Sequence, residues 1–218
     1  VPFAGYNMPI NYEPGIINEH IHVRNHAGVF DVSHMGQILI PVSDSNIFAL
    51  EYYVPLDLKT IKFNKCYYSF ILNERGGIID DIIISKFKFD KKNFIYIVYN
   101  SSRKQILNKI FKKNISDFKI IENKCLFAIQ GPESFSCITS ILNIASSMKF
   151  LDIEVIKYNN EDILISRSGY TGEDGFEISI SNINAEKLLR EILFNKKTLL
   201  CGLGCRDSLR VEAGLSLY

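Results

Sequence analysis

Residues 67–87 read Tyr67-Tyr68-Ser69-Phe70-Ile71-Leu72-Asn73-Glu74-Arg75-Gly76-Gly77-Ile78-Ile79-Asp80-Asp81-Ile82-Ile83-Ile84-Ser85-Lys86-Phe87. Two runs of β-branched and aromatic residues flank a polar, glycine-containing segment, the pattern of a β-hairpin. A third strand, Phe94 to Tyr99, follows through the polar turn Asp90-Lys91-Lys92-Asn93. Outward from this meander, residues 37–42, 125–129, 163–166 and 176–180 also read as strands, the last two around the turn Gly172-Glu173-Asp174-Gly175. Helical spacing of apolar residues predicts helices over 16–28, 48–53, 134–145, 184–194 and 206–213. Another is expected from Ser101 or Ser102 to about Lys113, with Ile106, Leu107, Ile110 and Phe111 facing inward. Strands in hairpins with single helices between them imply an α+β fold of antiparallel sheets and flanking helices, not a doubly wound parallel sheet. The pattern is read as two lobes. Residues 1–38 and 127–218 form a discontinuous outer lobe, and residues 39–126 form an inserted middle lobe that carries the Asp pair.

The 218 residues are 47% hydrophobic and 22% charged, which excludes a disordered chain and a disulfide mini-scaffold. A net charge of +1 excludes a globally basic nucleic-acid binder, and no apolar run is long enough to span a bilayer. The neutral total hides a local excess. Between Lys86 and Lys124 there are 11 basic and 3 acidic residues, a stretch suited either to an acidic partner or to plain solvation. The five cysteines (Cys66, Cys125, Cys137, Cys201 and Cys205) are odd in number and irregularly spaced, as expected of free thiols in a reducing compartment. Cys201 and Cys205 read as buried small residues ahead of metal ligands or a redox pair. The chain opens at Val1 and stops at Tyr218 without polar tails, and is read as an internal fragment of a longer polypeptide.

Three local patterns carry chemistry. In Ile79-Asp80-Asp81-Ile82 two carboxylates interrupt an apolar strand and must point to opposite faces. With isoleucines on both faces, both Asp side chains are expected to be buried. Each is then either satisfied by backbone amides or aimed into a ligand pocket. In Ser168-Gly169-Tyr170-Thr171-Gly172-Glu173-Asp174-Gly175-Phe176-Glu177, three glycines in seven residues mark tight backbone geometry, and Glu177 inside the following strand needs a partner. The segment is a hairpin turn or part of a site, and it is not a phosphate-binding loop, because a strand follows it. In Arg206-Asp207-Ser208-Leu209-Arg210 two guanidinium groups lie one helical turn apart, where an anion or a carboxylate such as Glu177 would relieve their repulsion. His20, His22, His26 and His34 lack metalloprotease spacing and read as helix-face and core residues. Asp31, Ser33 and His34 are too close in sequence to form a triad.

Taken together, these segments resemble one family. Phe30-Asp31-Val32-Ser33-His34-Met35, Asn73-x-x-Gly76-Gly77-x-x-Asp80-Asp81, Gly169-Tyr170-Thr171-Gly172-Glu173-Asp174-Gly175 and Arg206-Asp207-Ser208-Leu209-Arg210-x-Glu212-Ala213-Gly214 occur in the order found in aminomethyltransferase, the T-protein of the glycine cleavage system. The resemblance covers essentially the whole chain, without the family's first segment or its C-terminal barrel domain. It implies a two-lobed folate-binding fold. It also implies an enzyme that takes the aminomethyl group carried on the lipoyl arm of H-protein and uses tetrahydrofolate as co-substrate. The products would be 5,10-methylenetetrahydrofolate, ammonia and dihydrolipoyl H-protein, with no metal, nucleic acid or membrane involved. By resemblance Asp81 is the catalytic carboxylate near the reacting folate nitrogens, and Tyr68, Asn100, Tyr170, Glu177 and Arg206 match folate-contacting positions. The residue types suit this. A carboxylate accepts the donor edge of a pterin, a guanidinium donates to its carbonyl or to a carboxylate, and an anionic Asp81 offsets the positive charge of an iminium-like carbon as ammonia leaves. The basic 86–124 stretch would serve acidic H-protein or a polyglutamate tail. The location would be cytoplasmic in a bacterium and the mitochondrial matrix in a eukaryote. The alternatives are the folate-binding portion of a dimethylglycine or sarcosine dehydrogenase, a non-catalytic folate-binding regulator, and a plain α+β domain without a folate site.

Overall fold

The computed structural model describes residues 1–144 and 146–218. The chain divides into two compact units: Val1–His34 with Asn123–Leu217, and Met35–Glu122 with Tyr218. The changeovers fall four residues before those read from sequence. The reason is register: strand Gly36–Pro41 is laddered to Lys92–Tyr99 in one unit, whereas Lys124–Gln130 is laddered to Gly175–Ser181 in the other.

The continuous unit is a five-stranded antiparallel sheet in the order Lys65–Leu72, Ile78–Phe89, Lys92–Tyr99, Gly36–Pro41, Lys119–Ile120. The hairpin read around residues 67–87 is its center, with Ile71 opposite Asp80 and Phe70 opposite Asp81. One face carries Ile38, Ile71, Ile82, Ile84, Ile97 and Tyr99 into a core with helices Asp44–Glu51 and Lys104–Asn114. Ser43 caps the first of these helices by accepting the Asn46 amide. The second helix starts after a 3-10 turn at Ser101–Arg103. It buries Leu107 and Phe111, while Ile106, expected inward, is exposed on its outer face.

The discontinuous unit is a six-stranded sheet in the order Ile153–Tyr158, Glu161–Ser166, Gly175–Ser181, Lys124–Gln130, Ala27–Asp31, Thr198–Leu200. It departs from the expected antiparallel rule once, because Thr198–Leu200 runs parallel to Ala27–Asp31 at the edge. Ala27 to Asp31 corrects the sequence reading in a second way. The helix expected to reach residue 28 is Gly15–Asn25, and the residues after it join the sheet, where Ala27 and Val29 are fully buried. The helix expected over 134–145 is Ser134–Thr139, and residue 145 lies outside the described residues. Helices Asn182–Leu193, capped by Ser181, and Leu203–Glu212 complete the unit. Phe176, Ile178 and Ile180 point into its core, so Glu177 and Ser179 lie on the opposite face of the same strand. No helix among the described residues is long and apolar enough to cross a membrane.

Candidate functional site

Each unit brings together three of the residues singled out in the sequence. In the continuous unit Tyr68, Asp81 and Asn100 converge. The alternation of strand Ile78–Phe89 separates the two carboxylates. Asp80 faces the core and is fully buried, whereas Asp81 faces the other side and is half-buried. The expectation that both were sealed from water therefore fails for Asp81, because Ile79 and Ile83 on its face are themselves only partly covered. Both oxygens of Asp81 are held: the Tyr68 hydroxyl donates to Oδ2 at 2.9 Å and the Asn100 amide donates to Oδ1 at 2.5 Å. Asn100 follows the last ladder pair of its strand, Tyr99 with Ile82. Its freed backbone N–H turns to Asp80 Oδ2 at 3.0 Å, and its side-chain amide also donates to Asp80 Oδ1 at 2.8 Å. Burial pushes the Asp80 carboxyl up to about 6 against the opposing Asn100 hydrogen bonds. The Asp81 charge raises it further, and Arg103 lowers it.

In the discontinuous unit Tyr170, Glu177 and Arg206 converge. The Arg206 guanidinium lies 4.9 Å above the Tyr170 ring, and its Nη1 is buried without a hydrogen-bond partner among the described residues. Burial pushes the Arg206 pKa down, and the charges of Glu177 and Tyr170 work against that. Arg206 also lines a small cavity with Met8, Pro9, Tyr12, Phe30 and Asp31. Glu177, expected to need a partner, accepts from the Ser168 hydroxyl at 2.8 Å. The repulsion expected between Arg206 and Arg210 is relieved differently from the sequence reading, because Arg210 turns away to Asp207 at 2.8 Å.

The glycine-rich segment is cast around one side chain, Gln130, which the sequence reading passed over. Gln130 is fully buried, donates to the Ser168 carbonyl at 3.0 Å and accepts from the Thr171 hydroxyl at 3.0 Å. A Cβ on Gly169 would lie 1.7 Å from its Oε1, and one on Gly175 would lie 2.3 Å from its Nε2. Gly172 has φ +81°, a left-handed conformation that favors glycine. Arg24 ties the loop to the last helix: it donates to the Thr171 carbonyl, to Glu173 and to Glu212 at 2.6–2.9 Å. Arg167 holds Asp174 with two parallel bonds of 2.9 and 2.6 Å.

Cys201 lines the same small cavity as Arg206. Glu19, Cys201 and Cys205 are buried with ligand atoms within 4.8 Å of one another. The Glu19 carboxylate is already bonded by the backbone amides of Tyr12 and Gly202 at 2.5 and 2.9 Å. The hydrogen bond with Cys205 and burial push the Cys201 thiol up, so it stays protonated. His20 bonds Ser208 and Glu212, His22 bonds the Lys197 carbonyl, and His34 packs against Phe3 and Tyr6.

Across residues 1–218 the chain matches the family described as "GCVT N-terminal domain". It belongs to that family. This GCVT N-terminal domain is 39% identical over 226 residues to a protein named "Probable aminomethyltransferase, mitochondrial" of Schizosaccharomyces pombe, covering 100% of this chain and 57% of that relative. It is 40% identical over 233 residues to an "Aminomethyltransferase" of Caldanaerobacter subterraneus subsp. tengcongensis, covering 100% and 60%. The crystal structure of glycine cleavage system aminomethyltransferase T from Bartonella henselae superposes with a TM-score of 0.90 at 35% identity, covering 100% of this chain and 59% of that one. A heterotetrameric sarcosine oxidase chain from Corynebacterium sp. U-96 shares the fold, with a TM-score of 0.55 at 8% identity over 93% and 95% of the two chains. The domain spans about three fifths of the length of the curated relatives it matches.

Proposed function

We propose that this GCVT N-terminal domain is the folate-binding part of an aminomethyltransferase of the glycine cleavage system. It passes the one-carbon unit of aminomethyl-lipoyl H-protein to tetrahydrofolate, giving 5,10-methylenetetrahydrofolate, ammonia and dihydrolipoyl H-protein. The observation that carries this reading is Asp81, a half-exposed carboxylate with one oxygen anchored by Tyr68 and the other by Asn100. A fixed anion of this kind favors positive charge developing at the transferred carbon and orients the attacking amine, with no reorganization at the moment of reaction.

The donor set fits a reduced folate. Glu177 offers acceptor oxygens suited to the donor edge of a pterin. Arg206 offers a sealed, unpartnered Nη1 suited to a carbonyl or carboxylate oxygen, and Tyr170 offers a ring face. Asp81 is the catalytic residue in this reading, and Tyr68, Asn100, Tyr170, Glu177 and Arg206 bind folate or substrate. The exposed lysines 109, 112, 113 and 119 supply positive charge for acidic H-protein. The cell compartment follows the source: cytoplasm for a bacterial chain and mitochondrial matrix for a eukaryotic one, in keeping with the mitochondrial label of the Schizosaccharomyces pombe relative.

The test is direct. The whole protein carrying this domain, given tetrahydrofolate and aminomethyl-loaded H-protein, is expected to form methylenetetrahydrofolate. Asp81→Asn is expected to keep tetrahydrofolate binding by titration calorimetry while losing turnover. A wild-type protein that neither binds tetrahydrofolate nor transfers the group overturns the reading.

A further inference from the structure

We propose that Asp80 is a positioning residue for Asp81, fixing the Asn100 side-chain amide so that one of its two N–H groups is held on the Asp81 carboxylate. The proposal rests on the aminomethyltransferase reading only for its kinetic consequence; the geometry stands without it. The Asn100 amide nitrogen has two hydrogens, and the structure uses both, at 2.8 Å to Asp80 Oδ1 and 2.5 Å to Asp81 Oδ1. The Asn100 backbone N–H adds a third bond, 3.0 Å to Asp80 Oδ2. Asp80 therefore grips Asn100 at two points, which fixes which way the amide faces and where its second hydrogen goes.

Packing does not explain an Asp at this position. Asp80 shares its face with Ile82 and Ile84 and is fully buried, and a fitted apolar side chain would lack its desolvation cost. The ionized carboxylate accepts strongly from both Asn100 donors at once. A protonated one carries a hydroxyl hydrogen on one oxygen, which becomes the poorer acceptor, so one of the two bonds weakens. Burial brings this carboxyl to about 6, so the grip loosens as the medium turns mildly acidic. The charged and titratable groups facing it are Asp81 on its own strand, Tyr99 on the neighboring strand and Arg103 on the following turn, with Glu122 acting on Tyr99. Burial pushes the Tyr99 phenol up, away from this range. No histidine is among the groups that shift Asp80.

The experiment has two arms, both on the whole protein. In the first, carboxyl carbons of aspartate and the Asn100 side-chain nitrogen are followed by NMR between pH 4 and 8. The Asn100 side-chain resonance and the Asp81 carboxyl are expected to inflect together with Asp80, and the inflection at Asp81 is expected to vanish in Asp80→Asn. An Asn100 amide that ignores the Asp80 titration in the wild type overturns the proposal, and this arm needs no variant to fold. In the second, the kcat of wild type is expected to fall on the acid side with a midpoint near 6. Asp80→Asn is expected to lose at least about tenfold in kcat, keep the KM for tetrahydrofolate within about twofold, and show no such acid limb. Asn100→Ala combined with Asp80→Asn is expected to lose no more than Asn100→Ala alone. A variant with wild-type kcat and an intact acid limb overturns the proposal. A wild type without transfer activity instead rejects the functional reading and leaves the NMR arm to decide this one.

Discussion

The two clusters solve opposite problems. In the continuous unit the charged group of interest is saturated: Asp81 has a donor on each oxygen, and Asp80 behind it has two. In the discontinuous unit the charged group is under-satisfied, for Arg206 is stacked on Tyr170 with a buried, unpaired Nη1. A saturated carboxylate is rigid before any ligand arrives, which suits a group that must stabilize a transition state. A buried guanidinium with a spare donor is costly until something accepts from it, which suits a group whose task is binding.

The largest test of this contrast is Asp81→Asn. It is expected to lower kcat by about 10²–10³-fold with folate affinity within a few-fold, checked by steady-state kinetics beside calorimetry. Gly169→Ala comes next. Its Cβ would overlap the buried Gln130 amide, and a loss of ~2–4 kcal/mol in a denaturant titration is expected, with folate binding weakened as the loop shifts. Arg206→Met separates binding from stability. Folate affinity is expected to fall at least about tenfold while the stability of the unliganded protein changes by less than about 1 kcal/mol, since the desolvation cost of the guanidinium and its attraction to Glu177 are lost together. A variant that loses both would erase the distinction between the clusters.

Acid sharpens the same contrast. Asp80 has its folded pKa raised above the ordinary 3.8 to about 6. Its contribution to stability is therefore full below the unfolded value and is lost as the pH rises through about 6. In the other unit Glu133 and Glu212 are held below the usual carboxylate range by hydrogen bonds from Lys197 and Arg24. Glu161 is held low because bonds from Ser181 and Asn184 outweigh its burial. Those three contribute stability present above the unfolded value and lost as the pH falls through the folded one. Urea midpoints across pH 3.5–7 are expected to flatten between 4 and 6 in Asp80→Asn, with the loss at lower pH unchanged. The smallest expected effect is at the basic surface. Replacing Lys109, Lys112 and Lys113 with Gln is expected to change stability by less than about 0.5 kcal/mol and to appear only as a reduced salt dependence of the reaction with H-protein.

The sequence displayed the continuous unit better than the discontinuous one, and the reason is range. Hairpins such as Lys65–Leu72 with Ile78–Phe89 announce themselves by alternation and a glycine turn within twenty-five residues. Ala27–Asp31 does not, because its partners are Lys124–Gln130 and Thr198–Leu200, and only those distant pairings override the helical spacing of the preceding residues. The same holds for the site. The adjacent Asp80 and Asp81 were visible, and strand alternation alone put them on opposite faces, but which face was open depended on how fully neighbors cover Ile79 and Ile83. Gln130 carried no local signal at all; it matters because two glycines nearly forty and forty-five residues later leave room for it.

The way the sheets are strung along the chain sets the order in which they can be assembled during synthesis. The five-stranded sheet is encoded by one uninterrupted stretch and can close while translation continues. The first strand of the six-stranded sheet must wait for partners emerging roughly a hundred and then a hundred and seventy residues later, a delay that keeps its apolar edge unpaired on the ribosome. Slow decoding or early termination after residue 122 would therefore release a chain with one finished half and an adhesive leader, the species that a chaperone would be called on to shield.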